Sequence, residues 1–188
     1  MRVTLLFLLC LSLAAAAQAQ SDFRVYYGTE QLFEVGMVEK LTVISSNLQF
    51  NLRPPKGWSH QADPASHKLI FTNPSTRSAV TILFTTNSPG KLPAKDALLE
   101  RALLAHPMAP VVGSGVCSTS YQPGVLFELE RITSPGHVQR ISHAFVPQPD
   151  GEVEFILATP DDEFGRAKHA FTDMLRTFRV TLLKPKQP

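Results

Sequence analysis

The chain has 188 residues, 44% of them hydrophobic, and its 18 Lys and Arg nearly balance its 16 Asp and Glu. Since neither sign of charge dominates, nucleic acid and anionic membrane surfaces lose the electrostatic attraction that would favour them as partners. The length suits a single domain that buries a core without disulfide bonds, which excludes a small disulfide-stapled scaffold.

The N-terminal residues predict export. Arg2 is a short positive head, an apolar run follows over residues 5–13, and the small-residue pattern at 17–19 is typical of a cleavage site. We expect residues 1–19 to be a signal peptide and the protein to be periplasmic or secreted. The apolar run is too short for a stable membrane helix, so no membrane span is expected after cleavage.

The remaining chain is expected to divide into three parts. Residues 20–40 should form an N-terminal arm or a short strand, residues 41–182 a single domain, and residues 183–188 a polar tail. Apolar and polar residues alternate over 41–52, with a break at Ser45 and Ser46, which predicts strand structure. It ends at Pro54, because proline has no amide hydrogen to donate to a strand ladder.

The next segments predict a hairpin, a helix and a turn. Residues 67–86 alternate in polarity on both sides of an Asn-Pro-Ser sequence, which is typical of a β-hairpin. Residues 93–106 carry apolar side chains at helical spacing, and a proline follows them. The Gly-Ser-Gly sequence at 113–115 lacks the spacing of a nucleophile elbow or a dinucleotide-binding loop, so it predicts a flexible turn before a strand.

Three further alternating segments, separated by two tight turns, predict an antiparallel meander. Glu128 with Glu130, and Glu152 with Glu154, each share a strand face. Paired carboxylates can serve glycoside chemistry or calcium binding. A solvated charge ladder with partners such as Arg140 is the favoured interpretation.

A second helix is predicted to begin with Thr159 as its N-cap and Pro160 at its first position. From Phe164 to Phe178 the apolar residues form one continuous stripe, which must lie on a sheet. The order of strands, helix, three strands and helix predicts an α+β domain with helices packed on an antiparallel sheet.

Three segments in this order resemble the PsbP/Mog1-like superfamily. They are a strand running into a Pro-Gly-Trp turn, LQFNLRPPKGWSH; a hairpin, LIFTNPSTRSAVTILFTT; and a closing amphipathic helix, DEFGRAKHAFTDMLRTFRV. The resemblance implies an antiparallel β-sheet flanked by helices, an α/β/α sandwich. It also implies a bacterial exported member that works in binding or assembly.

Trp58, the only tryptophan in the chain, is the first candidate for a binding residue. In the fold that the resemblance implies, it closes the turn after the first long strand and covers the end of the core. The alternative is an exposed aromatic anchor for a partner, since tryptophan is enriched in binding hot spots.

Two histidines and one cysteine are the remaining candidates. His60 and His67 flank a loop, and a folded-back loop would let them bind a partner or share a metal; solvated loop histidines are the alternative. Cys117, the only cysteine after cleavage, is a reactive-thiol candidate, although a small buried strand residue is favoured. His143 is predicted to be a core histidine, and no motif indicates a cofactor.

These observations favour a non-enzymatic, exported binding or assembly factor that acts on a protein partner in the cell envelope. One alternative is a carrier of a small apolar ligand, suggested by the twelve phenylalanines. The other alternative is an enzyme whose loop-built site uses Cys117, His60 or His67.

Overall fold

The computed structural model describes residues 23–33, 35–86 and 90–183. The predicted signal peptide, and the predicted polar tail after its first residue, lie outside these ranges. The strands are β1 (Arg24–Leu32), β2 (Gly36–Ser45), β3 (Leu48–Leu52), β4 (Ser59–Asp63), β5 (Lys68–Asn73), β6 (Ser78–Thr85), β7 (Val111–Cys117), β8 (Gly124–Ser134), β9 (His137–Gln148), β10 (Gly151–Pro160) and β11 (Arg179–Leu182), and the α-helices are α1 (Lys95–Ala105) and α2 (Phe164–Thr177).

The first sheet has four antiparallel strands in the order β1-β2-β3-β11. β1 and β2 pair along their whole length, from Arg24 opposite Ile44 to Leu32 opposite Gly36. The segment expected as an arm or short strand, residues 20–40, therefore contains β1 and the first half of β2, and residue 41 lies inside β2. β11 closes the other edge by pairing with β3.

The second sheet has seven antiparallel strands in the order β4-β5-β6-β10-β9-β8-β7. β5 and β6 form the predicted hairpin, where the side-chain oxygen of Asn73 accepts a hydrogen bond of 3.0 Å from the Ser75 amide. The predicted meander is confirmed as β8, β9 and β10. The prediction of a single sheet is wrong, because the prolines after β3 end its pairing and the chain enters a new sheet at β4.

Successive side chains of the second sheet point to opposite faces, and each face packs against a different hydrophobic core. In β10, Val153, Phe155 and Leu157 belong to the main core, which also includes buried residues of the first sheet and of α2. On the opposite face, Phe127 and Phe145 form a second core with residues of α1. The α+β class, with antiparallel sheets and two α-helices, is confirmed for the described part of the chain.

The second helix begins later than its sequence predicts. Thr159 and Pro160 belong to β10, a short 3-10 turn follows, and α2 starts at Phe164. Thr159 is fully buried, and its hydroxyl lies 2.7 Å from the Ser78 hydroxyl of β6. The hydroxyl predicted to cap a helix is therefore used to join two strands.

The predicted flexible turn at residues 113–115 is also wrong. These residues lie inside β7, the edge strand of the second sheet, which pairs with β8 and carries an irregularity between Val111 and Gly113. Gly113 approaches Glu128 of β8 closely enough that a Cβ atom on it would lie 3.3 Å from that carboxylate. The glycine therefore leaves room beside β7 for the Glu128 side chain and does not form a turn.

Candidate functional site

Trp58 ends a tight turn between the two sheets. Its amide donates a hydrogen bond of 3.2 Å to the Pro55 carbonyl oxygen, and Gly57 before it has a φ of 78°, in the region that favours glycine. The Trp58 side chain is half-buried and packs against the main core. It therefore has the core-covering role that the sequence predicted, but part of the side chain stays accessible.

The accessible part of Trp58 lines a cavity of about 700 Å³ between this turn and helix α2. Ala170 and Met174 of α2 contribute apolar lining, and Arg53 and Lys56 bring cationic side chains from the turn. The same wall therefore offers an aromatic surface and positive charge. Arg53, Lys56 and Trp58 are neighbours in the local sequence RPPKGW, whereas α2 is brought to them by the fold.

A second cavity of about 410 Å³ adjoins the first and shares Arg53, Arg176 and Thr177 with it. We call the two cavities together the basic cleft. The Arg53 amide donates a hydrogen bond of 3.0 Å to the Thr177 hydroxyl, which holds the turn against the end of α2. The charged residues lining the basic cleft are Lys40, Arg53, Lys56, Arg166, Arg176 and Arg179 on the cationic side, and Glu30 and Asp173 on the acidic side.

Two carboxylates partly compensate these cations. Glu30 lies 3.1 Å from Arg53 and 3.4 Å from Lys40, and Asp173 lies 3.8 Å from Arg176 and 3.3 Å from His169. Burial pushes the pKa of Glu30 up, but its hydrogen bonds with the two cations outweigh this, so the pKa lies below its ordinary value. Glu30 is therefore fixed as an anion between cations.

His60 and His67 are not brought together. His60 lies on β4 and stacks on Tyr27 of β1, with ring centroids 3.6 Å apart. His67 follows the short turn after β4 and stacks on Phe23, with centroids 5.3 Å apart. Each histidine thus packs the N-terminal strand against the second sheet, and neither lines the basic cleft.

Cys117 is buried at the end of β7, with 5% of its surface exposed. Burial raises the pKa of its thiol above the ordinary value, which disfavours the nucleophilic thiolate. The side chain belongs to the main core, whereas His143 lies on the opposite face of the sheet beside the second core. Their separation gives no support to a Cys-His pair, and the surroundings match the small buried strand residue favoured from the sequence.

His143 is a fully buried histidine, as predicted, and its partner is Glu154. The imidazole Nδ1 lies 2.7 Å from a carboxylate oxygen of Glu154. Arg101 of α1 reaches both Glu154, at 3.7 Å, and Glu152. His106, at the end of α1, packs edge-on against His143 with ring centroids 5.0 Å apart. Helix α1, which the strand pattern alone did not place, thus supplies one arginine that both carboxylates share.

The ion pairs predicted on β8 are present, but they are partly buried and not a solvated ladder, and Glu152 of the second pair is only 4% exposed. Arg140 of β9 lies 3.9 Å from Glu128 and 3.6 Å from Glu130. Lys168 of α2 also pairs with Glu128.

In the part of the chain that the structure describes, no group of three histidine, cysteine or acidic side chains is arranged to hold a metal ion. Within the same ranges, no helix is long and apolar enough to span a membrane.

The basic cleft was missed from the sequence, although two of its signals are visible there. Arg53 and Lys56 flank the prolines before Trp58, and Arg166 and Arg176 lie on the polar side of the second predicted helix. Nothing local indicates that the turn and the helix meet, because they are more than a hundred residues apart along the chain.

Comparison with known proteins gives a fold. No family model matches the chain, and no curated protein matches it by sequence. A solved structure of LpqN, described as involved in cell envelope biogenesis of Mycobacterium tuberculosis, is 11% identical, with 84% of this chain and 92% of that chain covered at a TM-score of 0.48. The solution structure of cyanobacterial PsbP (CyanoP) from Synechocystis sp. PCC 6803 is 13% identical, with 89% of this chain and 98% of that chain covered at a TM-score of 0.52.

The protein therefore has an α+β fold of the PsbP type. At 13% identity this likeness is one of fold, and it is the fold that the three sequence segments led us to expect.

Proposed function

We propose that this protein is an exported, non-enzymatic binding or assembly factor that holds a protein partner in the cell envelope through the basic cleft. The observation that carries the proposal is the position of Trp58. Its half-buried ring lines a cavity of about 700 Å³, so a partner can contact an aromatic surface that the core already holds in place. Pre-ordered aromatic side chains bind with little loss of side-chain entropy.

The other candidate residues give less support to the alternatives. His60 and His67 each stack on a different aromatic side chain, and Cys117 is buried, so these three do not form a common site. Many of the phenylalanines that suggested a carrier are fully buried in the two cores, where they pack on each other.

Export, and the arrangement of the layers, belong to the same proposal. We propose that residues 1–19 are removed, since their sequence has the three regions of a signal peptide. We also propose an α/β/α order in which α1 covers one face of the second sheet, and α2 with the first sheet covers the other. The membership of the two cores supports this order. Mass spectrometry of the native protein should find Gln20 as its first residue.

A crosslinking capture experiment tests the binding function. The mature protein is crosslinked in envelope extract of its source cell, and captured proteins are quantified by mass spectrometry for the wild type and for Trp58→Ala. Phe33→Ala is the matched control, because it removes an aromatic ring that is 93% exposed and outside the basic cleft. Thermal unfolding followed by circular dichroism shows that each variant is folded.

We expect one protein to be captured in stoichiometric amount by the wild type and by Phe33→Ala, and to be lost with a folded Trp58→Ala. If the wild type and both variants capture the partner equally, the basic cleft is not the binding site. Enrichment of no protein above a scrambled bait would contradict the binding function itself.

A further inference from the structure

Resting on the proposed function, we infer that the segment of the partner bound in the basic cleft is an acidic peptide. The site that would recognise it is the row of arginine and lysine side chains beside Trp58. The inference adds the chemistry of the partner to a binding function that is itself proposed.

The first argument is the local excess of positive charge. The whole chain has a formal net charge of +2, and its cations and anions are nearly equal in number. Six cationic side chains and two carboxylates line the basic cleft. Arg166 is also paired at 3.3 Å with Glu163 beside the cleft, which leaves an excess of three positive charges. A cleft lined by one sign of charge concentrates its field and attracts ligands of the opposite sign.

The second argument is that the cleft's own carboxylates do not neutralise the cations. Arg53 and Lys40 share Glu30, and Arg176 shares Asp173 with His169. Lys56 and Arg179 are exposed, and the structure gives neither an ion pair with any described residue. These cations are available to carboxylates supplied by a partner.

The third argument is the shape and mixed chemistry of the cleft. Cavities of about 700 and 410 Å³ meet at Arg53 and Arg176, so the lined surface is longer than a single anion needs. Small-molecule pockets usually span about 300–1,000 Å³, and each of the two cavities falls within this range by itself. An acidic peptide can place carboxylates on the arginines and an apolar side chain on Trp58, which a free anion cannot do.

Arginine is the side chain suited to this role. Its planar guanidinium can donate two parallel hydrogen bonds to one carboxylate. Arg53 and Arg176 stand at the junction of the two cavities, where any segment running through both must pass. Arg53 already donates from Nε and Nη2 to the Glu30 carboxylate, so Arg176 is the guanidinium at the junction whose contact with a carboxylate, 3.8 Å from Asp173, is looser.

Tryptophan fluorescence gives a direct test, because Trp58 is the only tryptophan of the chain. The mature protein is titrated with a short synthetic peptide of alternating Glu and Leu, and with the same peptide carrying Lys for Glu. Inorganic phosphate and vesicles containing anionic phospholipid are titrated in parallel, as the other sources of negative charge. Each titration is repeated as salt rises from about 0.05 M to about 0.5 M, where exposed charges are screened.

The charge-reversal variant is Lys56→Glu with Arg179→Glu. It breaks no ion pair within the described residues, so folding should be preserved. Lys91→Glu is the matched control, because Lys91 is exposed and lines neither cavity. The same variants are used in the crosslinking capture experiment.

We expect the acidic peptide to change the Trp58 emission in a saturable way, and the basic peptide to have no effect. The charge reversal should lower the affinity for the acidic peptide about tenfold or more, and high salt should do the same. Lys91→Glu should leave this affinity unchanged. The inference is overturned if phosphate or anionic vesicles saturate the signal at lower concentration than the peptide. It is also overturned if the acidic and basic peptides act alike.

The inference and the proposed function fail in different ways. If a partner is captured through Trp58 but its capture is unaffected by salt and by the charge reversal, the acidic segment is wrong and the binding function stands. If no partner is captured and no peptide changes the emission, both are wrong.

Discussion

Replacing Gly124 with alanine should destabilise the protein through a contact that the structure defines. Gly124 of β8 pairs with Cys117 of β7. A Cβ atom on Gly124 would lie 2.3 Å from the carbonyl oxygen of Phe145 and 2.7 Å from the Cys117 sulfur. The first of these atoms is backbone of the neighbouring strand β9, so no side-chain rotation relieves the contact.

The expected loss of stability follows from these distances. To reach an ordinary contact of about 3.5 Å from the Phe145 oxygen, β8 and β9 must separate locally by about 1 Å. Overpacking of a well-packed interior costs about 1–3 kcal/mol, and a backbone contact places Gly124→Ala at the upper end, about 3 kcal/mol. For a domain of this size the corresponding fall in Tm is about 6–12 °C.

The assay is reversible unfolding by urea and by heat, followed by circular dichroism. Gly115→Ala is the matched control, since Gly115 lies in the partner strand β7 and a Cβ atom there meets nothing within 4 Å. It should be neutral, or stabilising by about 0.4–1 kcal/mol through a less flexible unfolded chain. Adding Cys117→Ala to Gly124→Ala should recover little stability, because the Phe145 carbonyl remains. Equal stability of the two glycine variants would refute the packing described here.

Two further predictions concern groups outside the basic cleft. Burial, followed by the nearby charges of His143 and Arg131, holds the pKa of His106 below its ordinary value. The unfolded chain therefore binds a proton first, so stability should fall as the pH drops below about 6.5 and should level off below the lowered pKa. The free energy of unfolding, measured with urea at a series of pH values, should depend less on pH in this range for His106→Gln. The variant of the exposed His137, His137→Gln, should keep the wild-type slope. Identical slopes in all three proteins would contradict the burial of His106. Cys117 should react with a disulfide reagent at pH 8 only after denaturation, because its thiol is buried and its pKa is raised; rapid reaction of the folded protein would show that the thiol is accessible.

The parts of the fold that were predicted correctly depend on local periodicity. The hairpin of β5 and β6 and the meander of β8, β9 and β10 have alternating side chains and short turns, and both are signals within a few residues. The buried Leu98 and Ala102 of α1 lie on the predicted apolar stripe. The ladder of Arg140 with Glu128 and Glu130 follows from the pairing of adjacent strands.

The wrong predictions concern choices that local sequence leaves open. Thr159 and Pro160 suit the start of a helix, yet Thr159 is fully buried in a strand, bonded to Ser78 eighty-one residues earlier in the chain. Gly113 and Gly115 suit a turn, yet pairing with β8 holds them in a strand. In each case tertiary contacts outweigh a local preference, because such preferences are worth only about 1 kcal/mol.

The sequence by itself determined the α+β class, most of the strand pairing between chain neighbours, and the special position of Trp58 after a proline-rich turn. Only the tertiary structure decided that there are two sheets, that His60 and His67 stand apart, and that a basic cleft exists. The physical reason is distance along the chain. Arg53 is hydrogen-bonded to Thr177 at the end of α2, 124 residues further along the chain, and no local sequence pattern indicates such a contact.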